Sequence, residues 1–201
     1  MGPGRLIALE GLDGAGKTTQ ARRLAAALRR RGFKVLLTRE PSSGPYGRKL
    51  RRYLKSRERS LSPTEELELF LADRRWHVAQ VIKPALAAGA VVITDRYYYS
   101  TAAYQGALGL DPREILAVNE AFAPKPDLVF LMTLPPAAAL ARRQKKGTPT
   151  QVTEAAGYLK KVAAIYRGLK GPHLYRLKAG RPPREIHARV LKKTLAALGE
   201  T

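Results

Sequence analysis

The chain has 201 residues, enough to bury a full hydrophobic core, and it contains no cysteine, which excludes disulfide scaffolds, thiolate metal sites and cysteine nucleophiles. Thirty-seven lysines and arginines against 16 acidic residues give a formal net charge of +21, which favours anionic ligands. No stretch approaches the roughly 20 apolar residues of a membrane span, and the N-terminus lacks a signal-peptide pattern, so we expect a soluble, cytoplasmic, single-domain protein without a membrane partner.

The basic residues are spread through segments with a helical pattern, at residues 29–31, 48–59 and 142–146 and near the C-terminus. This distribution argues against a disordered nucleic-acid-binding arm, and we interpret most of these side chains as solvated helix faces. Nucleic acid is therefore not an expected partner, although the net charge keeps that hypothesis open. The histidines, His77, His173 and His187, form no recognisable constellation and are interpreted as surface or packing residues.

A phosphate-binding motif follows the first strand-like stretch, residues 6–9. Residues 11–18 read G-x-x-x-x-G-K-T, and a helical pattern covers residues 17–30 and ends before Gly32. Glycines let consecutive backbone N–H groups turn inward on phosphate oxygens, Lys17 adds a positive charge, and the Thr18 hydroxyl can ligate Mg²⁺. We predict a phosphate cradle formed by Gly11, Gly14, Ala15, Gly16, Lys17, Thr18 and Thr19.

Four further strand-like stretches alternate with helical sequence, at residues 35–38, 91–94 and 128–132 and, more weakly, at 173–177. This alternation predicts an α/β protein with the three-layer P-loop NTPase fold, a five-stranded parallel sheet flanked by helices. Ligands of such sheets bind beyond the carboxyl ends of the strands. The phosphate motif follows the first strand, Arg39-Glu40-Pro41 the second, and Asp95-Arg96-Tyr97 the third, so we expect them to share one site.

Two later helices carry candidate binding residues. One begins near Ser62, because Ser62 and Glu65 have capping-box spacing and Pro63 fits the first turn. Phe70 and Arg74 lie four residues apart in it and share a face. The next helix begins near Ser100 and places Thr101, Tyr104 and Gln105 on one side. Residues 147–150, Gly-Thr-Pro-Thr, interrupt the helical pattern and predict a mobile loop.

Asp95 and Arg96 suit phosphoryl transfer. The reaction needs a carboxylate to hold Mg²⁺ or its waters and a guanidinium to neutralise the charge of the transferred group. The alternative interpretation is a structural ion pair at the end of a strand. The Val-Val-Ile run that precedes the pair, in a chain with a phosphate loop, favours the functional interpretation.

Five motifs in order resemble those of bacterial thymidylate kinases: residues 9–20, 38–41, 69–74, 95–97 and 100–105. The resemblance implies transfer of the ATP γ-phosphoryl group to the 5′-phosphate of dTMP, giving dTDP and ADP, with Mg²⁺ as cofactor. It also implies a homodimer and one nucleoside monophosphate kinase domain over residues 1–201.

The resemblance assigns roles to individual residues. It places Lys17 and Thr18 on the donor phosphates and Mg²⁺, with Asp95 as a second metal ligand, and Asp13 near the acceptor sugar and phosphate. It implies that Phe70 stacks on thymine and that Arg74 forms a hydrogen bond with the base. Without the resemblance, Phe70 and Tyr104 could also be residues of the hydrophobic core. The full set of implied acceptor-binding residues is Asp13, Arg39, Arg51, Phe70, Arg74, Arg96, Thr101, Tyr104 and Gln105.

The chain departs from the family pattern at two places. Residues 42–44 read Ser-Ser-Gly where Gly-Gly-Thr is usual, so the turn near the acceptor phosphate is built differently. The lid, at about residues 141–154, lacks the usual Asp-Arg pair. Positions 12–15 contain no arginine, so the additional catalytic charge must come from Arg96 and from the lid cations Arg142 and Arg143, with Lys145 and Lys146 as substitutes.

Two alternative functions remain open at this point. One is a related P-loop kinase acting on another nucleoside monophosphate or on a deoxynucleoside. The other is a weakly catalytic paralogue that binds nucleic acid through its basic faces.

Overall fold

The computed structural model describes residues 4–56, 60–144 and 156–200, without the side chains of residues 143 and 144. In chain order the elements are β1 (Arg5–Gly11), α1 (Lys17–Arg29), β2 (Val35–Arg39), α2 (Pro45–Lys55), α3 (Pro63–His77), a π-helical turn (Val78–Ile82), α4 (Lys83–Ala87), β3 (Val91–Asp95), α5 (Tyr98–Gly106), α6 (Pro112–Glu120), β4 (Leu128–Thr133), α7 (Pro136–Gln144), α8 (Ala156–Gly168), β5 (Leu174–Lys178) and α9 (Pro183–Ala197).

The five strands form one parallel sheet in the order β2-β3-β1-β4-β5. β1, β3 and β4 lie at its centre and are almost entirely buried, which explains their unbroken apolar sequences. Helices cover the sheet, with α1 packed on β1, β2 and β3 and beside α9, and α5 packed against β1 and α8. The predicted fold class is confirmed, and each predicted strand is present with ends shifted by one or two residues.

Local sequence signals fix several helix ends. The capping box at Ser62 and Glu65 is present, with the Ser62 N–H donating to Glu65 Oε2 at 2.8 Å and the Glu65 N–H donating to Ser62 Oγ at 3.3 Å. Gly32 follows α1 with a φ of 85°, as a left-handed helix terminus requires. α5 begins at Tyr98, two residues before the predicted start, because a side chain from β1 caps its first turn.

The sheet register assembles the ends of three strands. Leu9 of β1 and Arg39 of β2 both pair with Asp95 of β3. The phosphate motif, the Arg39-Glu40-Pro41 segment and Asp95-Arg96 therefore meet at one edge, as predicted. No helix within the described ranges is long and apolar enough to cross a bilayer.

Candidate active site

The phosphate loop fits closely against β4 and α7. Gly11 has a φ of 130°, and a Cβ there would overlap the carbonyl oxygen of Met132. Gly14 has a φ of 82°, and its Cβ would lie 2.8 Å from the carbonyl oxygen of Ala139. Only glycine satisfies both the left-handed backbone and the lack of space at these two positions.

Lys17 lies buried beneath the loop. Its ammonium donates to the carbonyl oxygens of Gly11 and Leu12, at 2.9 Å each, and lies 3.9 Å from Asp13 Oδ1. Burial, together with the nearby positive charge of Arg96, lowers the pKa of Lys17 to about 8. An anion entering the loop would offset both effects and favour the charged ammonium.

Thr18 and Asp95 present oxygen atoms to the same point. The Thr18 hydroxyl donates to Asp95 Oδ2 across the gap between α1 and β3. A hydroxyl and a carboxylate in contact supply the ligand type that Mg²⁺ prefers. The sequence predicts that both residues are metal ligands, and the fold brings them together from positions 77 residues apart.

Arg96 connects the phosphate loop to α5. Its Nη2 donates to Asp13 Oδ1 at 2.6 Å and to the Tyr104 hydroxyl at 3.3 Å, and its guanidinium lies 5.0 Å from the centre of the Tyr104 ring. Arg96 has a φ of 74°, a left-handed conformation that is costly for a residue with a Cβ. Strain of this kind concentrates at functional sites.

A buried carboxylate, that of Glu10, is linked to Arg96 through the Ser100 hydroxyl. Glu10, at the end of β1, accepts from the backbone N–H groups of Tyr97 and Ser100 at 2.8 and 3.2 Å and so caps α5. The Ser100 hydroxyl donates to Glu10 at 2.5 Å and accepts from Arg96 Nη1 at 2.7 Å. Tyr166 of α8 also donates to Glu10, at 3.2 Å. Burial raises the pKa of Glu10, against the opposing influence of Ser100 and Arg96.

The cleft in front of the loop continues to α2. It has a volume of about 260 Å³, and Arg39, Pro41 and Arg51 line it together with the phosphate loop. Arg51 Nη1 donates to the carbonyl oxygen of Pro41 at 2.7 Å and to that of Ser42. The Arg51 guanidinium is therefore held by the backbone that follows β2, while Arg39 is exposed at the rim.

Arg74 is the centre of a buried polar network. Its Nε and Nη2 donate to Glu40 Oε2 at 2.9 and 2.5 Å, its Nη1 to Asn119 Oδ1 at 2.6 Å, and its Nη2 to Thr101 Oγ1 at 3.0 Å. Burial alone would raise the pKa of Glu40, but Arg74 and the bonded His77 outweigh it and hold that pKa below its ordinary value. These bonds fix the direction of the guanidinium.

The other predicted base-contacting residues lie near Arg74 on α3 and α5. Phe70 is half-buried one turn before Arg74, and Tyr104 is half-buried beside Arg96. Gln105 is buried, and its Nε2 donates to Glu66 at 2.7 Å. Its Oε1 is buried without a hydrogen-bond partner in the described part of the chain. An unpaired buried acceptor of this kind suits a ligand N–H group.

Arg142, the first predicted lid cation, lies beside the phosphate loop. Its Nη1 donates to the carbonyl oxygen of Ala179 at 3.0 Å and contacts that of Gly14 at 3.4 Å. The other lid cations, the Arg143 side chain, Lys145 and Lys146, lie outside the described residues, as does most of the predicted lid and the loop at residues 147–150.

Comparison with known proteins agrees with this geometry. Residues 9–190 match the family model described as thymidylate kinase. The chain belongs to the thymidylate kinase family. The thymidylate kinase of Desulfotalea psychrophila is 48% identical over 178 residues, which cover 88% of this chain and 87% of that protein.

Two further relatives carry the same name. The thymidylate kinase of Xanthomonas oryzae pv. oryzae is 48% identical over 169 residues, covering 84% of this chain and 73% of that protein. The probable thymidylate kinase of Archaeoglobus fulgidus is 43% identical over 187 residues, covering 93% of each chain. The resemblance inferred from the five motifs is thus confirmed, and the alternative functions are not favoured.

The fold brings most of the predicted site residues of this thymidylate kinase family member to the cleft. Those that line it are Asp13, Gly14, Gly16, Lys17, Thr18, Thr19, Arg39, Arg51, Asp95 and Arg96. Gly11 and Ala15 are buried within the loop. Phe70, Arg74, Thr101, Tyr104 and Gln105 do not line this cleft and lie on α3 and α5 beside it.

Sequence reasoning missed the buried partners of the arginines. Glu10 interrupts an apolar run just before Gly11, which was a usable signal for a buried functional carboxylate. Asn119 is the chain's single asparagine, but nothing in its neighbourhood indicates that it faces Arg74. The sequence predicts that His77 is a surface or packing residue. It is buried, with its ring nitrogens 2.7 Å from Thr38 Oγ1 and 3.1 Å from Glu40 Oε1.

Proposed function

We propose that this chain transfers the γ-phosphoryl group of ATP to the 5′-phosphate of dTMP, giving dTDP and ADP. The observation that carries the proposal is one cleft that is lined by phosphate-loop residues together with Arg51, Asp95 and Arg96. A donor phosphate in the loop and an acceptor phosphate on the arginines would meet there. Phosphoryl transfer needs this positioning and charge neutralisation more than it needs covalent chemistry from the protein.

On the donor side, Lys17 would bind the ATP phosphates. Its ammonium donates to two loop carbonyls, which hold it at the loop. Arg142 supports the same role from α7, because its guanidinium lies at the carbonyl oxygen of Gly14 and its Cβ lies 3.4 Å from the position of a Cβ at Gly14. Whether Arg142 or Arg143 supplies the lid charge is tested by replacing each singly and measuring kcat.

Mg²⁺ is the metal that these residues fit. Thr18 and Asp95 would hold it, and the described ranges contain no cluster of three or more His, Cys, Asp or Glu able to bind a metal. The remaining ligands would then come from ATP phosphates and water, as is usual for Mg²⁺. When bound, the ion neutralises charge on the donor phosphates. Asp95→Asn should weaken the Mg²⁺ dependence of ATP binding, measured by calorimetry, and an unchanged dependence would contradict the assignment.

On the acceptor side, Arg51, Arg96 and the exposed Arg39 would bind the dTMP phosphate. Guanidinium groups suit phosphate because they donate two parallel hydrogen bonds. Asp13 bridges the two halves of the site, since its carboxylate contacts Arg96 at 2.6 Å and lies 3.9 Å from Lys17. It would keep the two cations in place until phosphates enter.

The base pocket is expected to distinguish thymine from cytosine. Within the described residues Arg74 makes four hydrogen bonds, to Glu40, Asn119 and Thr101, and these leave one N–H of Nη1 as a donor. Gln105 Oε1 offers an acceptor. The Arg74 donor matches O4 of thymine, and the Gln105 acceptor matches its N3–H. In cytosine the corresponding groups are the N4 amine, a donor, and N3, an acceptor, so neither would be matched. Phe70 would stack on the ring, and Thr101 and Tyr104 would border the base and deoxyribose.

A coupled ADP-release assay with dTMP, dUMP, dCMP, AMP and thymidine tests the proposal. We expect turnover with dTMP and Mg-ATP, and a higher kcat/KM for dTMP than for dCMP. Lys17→Ala should reduce the rate by roughly 10²–10³, since it removes a preorganised charge from the transition state. Lys34→Ala, at an exposed lysine beyond α1, is the matched control and should retain full activity. A folded wild-type protein without turnover on the whole panel would refute the proposal.

The proposal also includes a homodimer, a cytoplasmic location and a single kinase domain with a lid at about residues 141–154. They are supported by the family resemblance and by the cysteine-free composition. Light scattering after gel filtration tests the dimer, and cell fractionation tests the location. Limited proteolysis with and without nucleotide tests the lid, because a closing segment should become protected.

A further inference from the structure

Asp73 of α3 holds the loop that joins β2 to α2. Its Oδ2 accepts from the Ser42 N–H at 2.8 Å, and its Oδ1 accepts from the Ser42 hydroxyl at 2.5 Å. Both residues are buried, so the bonds are strengthened by low local polarity. One carboxylate thereby fixes both the backbone and the side chain of Ser42.

Ser42 is tied in turn to two points of α2. Its Oγ accepts from the N–H of Gly44, the N-cap of α2, at 3.0 Å. Its carbonyl oxygen accepts from Arg51 Nη1, which also donates to the Pro41 carbonyl at 2.7 Å. The path from Asp73 to the Arg51 guanidinium therefore runs through a single serine.

The packing around this path leaves little room for another arrangement. A Cβ at Gly47 would overlap the Ser42 carbonyl oxygen and lie 2.7 Å from Asp73 Oδ1. α2 therefore rests directly on the Ser42–Asp73 pair. The usual family motif has glycine where Ser42 stands, so the hydroxyl is a departure from that motif.

We infer that Asp73 and Ser42 are positioning residues that hold Arg51 in place for the acceptor phosphate. The inference rests on the proposed function for the identity of the acceptor. Asp73 fixes Ser42, and two carbonyl oxygens aim the guanidinium into the cleft. Acceptor binding and phosphoryl transfer are sensitive to small displacements of the Arg51 guanidinium. A substitution at Asp73 is therefore expected to affect both, although Asp73 itself does not contact the acceptor.

A double-mutant cycle between Asp73→Asn and Arg51→Ala tests the inference. Asparagine keeps the shape but loses the charge and one of the two acceptor oxygens. We expect Asp73→Asn to raise the KM for dTMP roughly tenfold, with the KM for ATP unchanged within about twofold. In the Arg51→Ala background the same substitution should raise the KM for dTMP by less than about twofold. Equal effects in both backgrounds, or no effect on the KM for dTMP, would overturn the inference.

Ser42→Ala provides a second variant that removes only the hydroxyl and is expected to fold even where Asp73→Asn does not. We expect a rise in the KM for dTMP of about threefold, because the backbone bond to Asp73 remains. Ser43→Ala, at the exposed neighbouring serine, is the matched control and should leave both KM values unchanged. If Ser42→Ala behaves like Ser43→Ala, the hydroxyl plays no positioning role and that part of the inference is wrong.

A crystal structure of Asp73→Asn separates this inference from the proposed function. We expect the Arg51 guanidinium to leave the carbonyl oxygens of Pro41 and Ser42. An unmoved guanidinium overturns the positioning role even if the wild type phosphorylates dTMP. Conversely, a wild type inactive on dTMP refutes the proposed function, while the position of Arg51 in the variant still decides the inference.

Discussion

Glu40→Gln should destabilise the protein because it leaves the Arg74 charge buried without a counter-charge. The Arg74 and Glu40 side chains are only 2% and 5% exposed, and they meet at 2.5 Å. Breaking a buried ion pair by removing one partner typically costs about 3–5 kcal/mol. Glutamine preserves shape and one acceptor oxygen, so we expect a loss near the lower end, about 3 kcal/mol.

A loss of about 3 kcal/mol is large compared with a total stability of about 5–15 kcal/mol. For a chain of this length it corresponds to a fall in Tm of roughly 6–12 °C. Urea denaturation followed by circular dichroism gives the free energy of unfolding directly. The matched control is Glu185→Gln, because Arg181 and Glu185 form an ion pair at 3.4 Å with both side chains 49% exposed. Exposed pairs contribute at most about 1 kcal/mol.

The effect of Glu40→Gln should also depend on pH. The pKa of Glu40 is held below its ordinary value of 4.5, so its contribution is complete above that pH and is lost as the pH falls through the folded-state pKa. The difference in stability between wild type and Glu40→Gln should therefore shrink below about pH 4.5. A variant no less stable than the Glu185→Gln control at pH 7 would refute the reasoning.

Three further measurements test other parts of the site. Because burial lowers the pKa of Lys17 to about 8, ATP binding at pH 8 should take up about half a proton, measured by calorimetry in two buffers of different ionisation heat. The same uptake in Lys17→Met would contradict this. Gly47→Ala should cost about 1–3 kcal/mol through overlap with Ser42, whereas Gly157→Ala, which meets no atom within 4 Å, should stabilise α8 by up to about 1 kcal/mol. Equal urea midpoints for the two would count against the packing argument. Tyr166→Phe should lose about 1 kcal/mol by removing a donor to buried Glu10, and an unchanged melting temperature would show that the bond contributes little.

The sequence alone was sufficient for the features that depend on spacing along the chain. Strand-like runs, the phosphate motif and the Ser62 capping box are encoded within a few residues, because backbone geometry and hydrogen bonding repeat over short distances. The sequence also placed Asp95 and Arg96 beside the phosphate loop, since the carboxyl ends of parallel strands share one edge. Its resemblance to one family was confirmed by that family's match over residues 9–190.

Only the tertiary structure could show what holds the functional arginines. Arg96 depends on Glu10 through Ser100, Arg51 on Ser42 and Asp73, and Arg74 on Glu40 and Asn119. Partners such as Arg74 and Asn119 are 45 residues apart, and Glu10 and Tyr166 are 156 residues apart. No local period encodes such pairs.

The physical reason lies in the cost of burying charge and polarity. Each buried guanidinium or carboxylate must find partners wherever the packed chain offers them, whichever element they come from. The sequence therefore determined which side chains carry the chemistry, and the packing of α2, α3, α5, α6 and α8 around the sheet determined how they are aimed.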